Sequence, residues 1–117
     1  MKKMMYIAVN QDLNMSPGKI GAHTAHAAFD YLIRCYQNMY DAELEDYVEE
    51  FKEHGDTIIV LKAHEKDLLK WEKEGYVTIR DRGYTEIEPN SITAVCLGIF
   101  DKDKEEIPKF IKRLRLL

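Results

Sequence analysis

Apolar residues run through this chain in two rhythms. Largely apolar runs bounded by polar turn formers fall at residues 4–9, 57–62, 76–80 and 92–100, and their length and β-branched content predict four strands. Between and after them, apolar positions recur at three and four residues. That spacing predicts helices over 17–39, with a break near Asp41, over 42–54, over 65–74 and over 103–114. Leu44, Tyr47, Val48 and Phe51 form the stripe of the second helix, which Gly55 caps. Leu68, Leu69 and Trp71 form the stripe of the third, and Ile107, Phe110, Ile111 and Leu114 that of the fourth.

Strands alternating with helices predict an α/β domain, a three-layer α/β/α sandwich around a four-stranded mixed sheet. The connection between the last two strands is too short for a helical crossover, so that pair is expected to be antiparallel. With 117 residues and neither repeat nor linker, residues 1–117 read as a single domain able to bury a core without disulfides.

Composition narrows the class. Seventeen basic against twenty-one acidic residues give a formal charge of -4, so the molecule as a whole has no electrostatic case for nucleic acid and needs a local basic face to bind one. Lys104, Lys109, Lys112, Arg113 and Arg115 offer such a face near the C-terminus, interleaved with Glu105 and Glu106. Cys35 and Cys96 have no C-x-x-C spacing and sit in apolar contexts, which points to free buried thiols and a cytoplasmic protein. No stretch approaches the roughly 20 apolar residues that cross a membrane.

Chemistry concentrates in two segments. In the first, Ser16 reads as an N-cap and Pro17 as the first helical residue, so Lys19, His23 and His26 share the opening turns of one helix. Gly21, Ala22, Ala25, Ala27 and Ala28 leave that helix little bulk, which lets a backbone or a ligand come close. The second segment, 81–93, follows the third strand. Ligands of α/β sheets bind beyond the carboxyl ends of strands, so both segments can meet at one edge. His23 and His26 stand three apart, as many zinc ligands do, but no third ligand has a supporting spacing, and no metal is expected.

These segments carry a resemblance. Asp12, Leu13, Met15, Gly18 and Lys19, then His26, Ala27 and Ala28, then Asp81, Gly83, Thr85, Ile87, Pro89, Ser91 and Thr93, and the closing Leu116 and Leu117, resemble in order and spacing the archaeal and eukaryotic peptidyl-tRNA hydrolases, the type 2 family. The resemblance implies hydrolysis of the ester joining a peptide to the terminal ribose of tRNA, without metal or cofactor, by a homodimer. It places Lys19, His26, Asp81 and Thr85 at catalytic positions and Gly18, His23, Arg82, Ser91 and Thr93 near substrate. The chain departs from the family pattern at His23, Arg82, Glu86 and Asn90, where glutamine, alanine, glutamine and glycine are usual. Two other readings stay open: a binding or regulatory module on the same fold, and a hydrolase of small esters.

Overall fold

β1 (Lys3–Asn10) is buried from end to end, and its side chains alternate between two cores. Met5, Ile7 and Val9 pack with Ala27, Ala28 and Cys35 of α1 (Pro17–Gln37) and with Val48 and Phe51 of α2 (Ala42–Glu53). Met4, Tyr6 and Ala8 pack with Leu68 and Trp71 of α3 (Glu65–Lys73) and with Ile111 of α4 (Lys109–Lys112). Helices therefore lie on both faces of the sheet. The computed structural model describes residues 3–38, 42–82, 87–104 and 106–117, so Met39, Asp41 and the side chain of Leu44 lie outside the described residues.

The sheet is mixed, in the order β3-β4-β1-β2-β5. β2 (Ile58–Ala63) runs parallel to β1, while β4 (Ile92–Asp101) is antiparallel to both β1 and β3 (Val77–Arg80), as the short last connection requires. It has five strands rather than the four expected. The fifth, β5 (Arg115–Leu116), pairs antiparallel with Leu61 and Lys62 and is too short to leave a periodic signal.

The helix expected over 103–114 is corrected in the same region. Pro108 has no N–H to donate and disfavours helical backbone at the residue before it, so the segment splits into a 3₁₀ turn at Lys102–Lys104 and the single turn of α4. Leu69 is corrected too, being more than a third exposed while Leu68 and Trp71 are buried.

β4 carries two irregularities that matter for the site. Its register against β1 shifts beside Gly98, whose φ of +117° suits glycine alone, and its register against β3 shifts beside Thr93. The second shift turns Thr93 toward α1.

Candidate active site

α1 supplies one wall of the site. Lys19, His23, His26 and Asp30 follow one another at helical intervals of four, three and four, along the edge of α1 that faces β3. Ala27 and Ala28 beneath them are buried and small, which seats the helix close on the sheet. Strand alternation supplies the other wall: Val77 and Ile79 point to the α1 face, so Asp81, two residues on, is delivered to the same side.

Lys19 and Asp81 meet there, Nζ to Oδ1 at 2.8 Å, each side chain only 5% exposed. A lysine at a helix start is ordinarily solvated, and here it is withdrawn from water into an ion pair. Such a pair is weak evidence for stability, because the desolvation of both charges offsets their attraction. A preorganised ammonium beside a cavity suits stabilising negative charge instead.

Asp81 is held by its own backbone. Its N–H donates to the Ser91 carbonyl at 2.9 Å and its carbonyl accepts from the Asn90 N–H at 2.6 Å, which closes the base of the loop. Asn90 adopts φ +66°, the left-handed region where asparagine is tolerated best after glycine, so this departure from the family pattern keeps the backbone. Arg80 ties the same loop to α3 through a two-pronged ion pair with Glu72, at 2.8 and 3.0 Å, and donates to the Asn90 carbonyl at 2.7 Å.

His23 stands beside the pair. Its Nε2 lies 3.7 Å from Asp81 Oδ1 and its Nδ1 2.6 Å from Thr93 Oγ1. Burial, and next the Lys19 ammonium, hold its pKa below the usual 6.5, with Asp81 opposing and His26 adding to the effect. His23 is therefore neutral at pH 7.

The remaining expected residues fall at different distances from this centre. His26 is exposed and sits 3.4 Å from Asp30. With Asp30, Thr78, Ile79, Arg80, Asp81, Arg82 and Asn90 it lines a cavity of about 340 Å³. Arg82 is exposed on that cavity, and Gly18 is exposed at the start of α1. The Ser91 hydroxyl donates to the Glu88 carbonyl at 2.7 Å. Thr85 lies outside the described residues, as do Gly83 and Glu86. Among the described residues no group of three or more His, Cys, Asp or Glu side chains is placed to hold a metal ion.

Two residues that sequence reasoning passed over build the edge on which the site sits. Asn10 accepts from the Asp12 N–H at 2.9 Å and donates to the Ile92 carbonyl at 2.9 Å, joining β1 to β4. Arg80 pins the loop as above; its only sequence signal was a charge at the end of a strand. Asp12 serves the fold, since it accepts from the Glu65 N–H at 2.8 Å at the start of α3 and pairs with His64 at 2.9 Å. Burial raises the pKa of Cys35, and that of Cys96 to about 12, so neither thiol is a ready nucleophile.

Fold and site together define a small α/β domain that holds a buried, paired ammonium and carboxylate with an imidazole at their side. The chain belongs to the peptidyl-tRNA hydrolase PTH2 family, whose model matches residues 3–117. It is 36% identical to a peptidyl-tRNA hydrolase of Thermoplasma acidophilum over the whole of both chains. It is 36% identical to that of Sulfolobus acidocaldarius, over 97% of this chain and 98% of the relative. The peptidyl-tRNA hydrolase of Methanopyrus kandleri is 34% identical over 95% of each chain.

Proposed function

We propose that this chain hydrolyses the ester bond between a peptide and the 3′-terminal ribose of tRNA, releasing both. The observation that carries the reading is the buried Lys19–Asp81 pair, whose aspartate lines a cavity at the carboxyl end of β3, in a chain whose relatives bear that activity in their names. Ester hydrolysis needs an oriented water, a partner for the oxyanion and a proton for the departing ribose oxygen. Asp81 orients Lys19 and accepts a hydrogen bond from the water, and the ammonium meets the negative charge that develops on the carbonyl oxygen. Thr85 positions the ribose. His26, at the cavity mouth, orders the approach together with Gly18 and Arg82, while Ser91 and Thr93 brace the loop and His23.

Charge fits an RNA substrate locally rather than globally. Lys62, Arg113 and Arg115 border a second cavity of about 290 Å³ at the β2–β5 edge, although the whole molecule is acidic. A cytoplasmic homodimer belongs to the same proposal. It is supported by two free buried cysteines and by the exposed apolar side chains of Phe29, Ile33 and Tyr36, which form one stripe along α1. No helix among the described residues is long and apolar enough to cross a membrane.

The test is a single-turnover assay on N-blocked aminoacyl-tRNA at several salt concentrations. Release of free tRNA, with affinity falling as salt rises, is the expected result. Hydrolysis of small esters without salt dependence would move the assignment to a small-ester hydrolase, and no release at high protein concentration would overturn it in favour of a binding module.

A further inference from the structure

His23 is the one titratable side chain of the centre that the proposed hydrolysis leaves without chemistry. The Thr93 hydroxyl carries a single proton and donates it to the Ile79 carbonyl at 3.2 Å. With its proton on that carbonyl the hydroxyl meets His23 Nδ1 as an acceptor, at 2.6 Å, and we assign the imidazole proton to Nδ1 accordingly. Nε2 is left with its lone pair, directed toward Asp81 at 3.7 Å. That separation is too long for a direct hydrogen bond, and it allows one water to donate to the imidazole and to the carboxylate together. The side chain is 13% exposed, so the ring is largely enclosed and keeps some contact with solvent.

We propose that His23 is the proton acceptor for the attacking water, a catalytic residue peculiar to this chain's version of the site. The inference rests on the ester-hydrolase reading given above. In the step, Nε2 takes a proton from the water as its oxygen bonds to the ester carbonyl carbon, and the carbonyl electron pair moves onto an oxygen faced by Lys19. Collapse then breaks the bond to the ribose oxygen, which takes the proton back from the imidazolium. The products are a peptide carboxylic acid and a ribose hydroxyl, and the imidazole returns neutral.

The charged and titratable groups around His23 agree with this role. Lys19 and His26 on α1 both oppose its protonation, and Asp81 at the end of β3 favours it, while Thr93 on β4 adds no charge. Asp81 also favours the imidazolium once it forms, which steadies the intermediate state. The neutral base is thus the resting form at pH 7, and it is within reach of a group that stabilises its charged form.

The deciding experiment is the pH dependence of single-turnover hydrolysis of N-blocked aminoacyl-tRNA by the wild type, by His23→Gln and by His23→Ala with and without free imidazole. The glutamine amide can still donate to Thr93, so that variant guards against simple unfolding. In the wild type we expect an acidic limb with a midpoint below 6.5. In His23→Gln we expect a rate about 10²-fold lower at neutral pH and no such limb. Added imidazole restores part of the rate to His23→Ala. A His23→Gln rate within about twofold of wild type, or a lowered rate that keeps the same acidic limb, overturns the inference while leaving the ester-hydrolase reading in place. A wild type that releases no tRNA overturns both.

Discussion

Two buried lysine–aspartate pairs stand at opposite ends of the same sheet, and they behave differently because of what surrounds them. Lys3 and Asp101 are cross-strand partners where β1 begins and β4 ends, 3.2 Å apart and each at most 2% exposed. Glu50 lies 3.4 Å from the same ammonium, and the Tyr47 ring lies 3.9 Å beneath it. Asp101 also accepts from the Asp103 N–H, and the Lys3 backbone N–H donates to His54 Nδ1. That pair is wrapped by protein. In the other pair Asp81 lines a cavity, and a neutral imidazole stands beside it. Burial of charge by itself therefore does not mark a catalytic site. What separates the two pairs is access combined with a second titratable group whose protonation can change.

The largest expected effect is on the open pair. Lys19→Ala removes the ammonium that meets the oxyanion, and single-turnover hydrolysis should fall about 10²- to 10³-fold. Binding of uncleaved tRNA should change far less, as judged by filter binding at fixed salt. Next in size is the closed pair. Lys3→Ala leaves Asp101 buried without its cation and should cost about 3 kcal/mol of stability in urea unfolding, with the hydrolytic rate per folded molecule unchanged. The pH dependence has a definite sign. Burial pulls the pKa of Lys3 down, but hydrogen bonds to Asp101 and Glu50, with the Tyr47 and Asp101 charges, outweigh it and leave the pKa raised above 10.5. Its stabilisation is thus fully present below the unfolded value and lost as pH climbs through the folded one, and Lys3→Ala should flatten the alkaline part of the stability curve. The smallest effect belongs to the half-exposed brace between Arg80 and Glu72. Glu72→Gln should cost only about 0.5 kcal/mol of stability, while loosening the hold of Arg80 on Asn90 enough to raise KM more than it lowers kcat.

Much of the frame around the two pairs was legible in the sequence. The continuous apolar run of Met4 to Val9 announced a strand covered on both faces, and the short link before Ile92 announced an antiparallel pair; local rules suffice for such features. The C-terminus was misread because the apolar spacing of Ile107, Phe110, Ile111 and Leu114 is helical while Pro108 forbids the helix it suggests. A two-residue strand such as β5 has no period at all. At the site, the helix-start signal and the family motif brought Lys19 and Asp81 into view. Spacing alone could not say that this lysine would be buried, or that His23 rather than His26 would reach the carboxylate. The Lys3–Asp101 pair was invisible, since its members lie 98 residues apart and neither belongs to a motif. Asn90 looked like a departure in the sequence, and its left-handed backbone makes it a close substitute for glycine.

The most direct test sets the two lysines side by side, measuring single-turnover release of tRNA from N-blocked aminoacyl-tRNA by Lys19→Ala and Lys3→Ala proteins, each corrected for its folded fraction. A drop of about 10²- to 10³-fold confined to Lys19→Ala is the predicted result. Equal rates in the two variants would contradict the division of labour between the open and the closed pair.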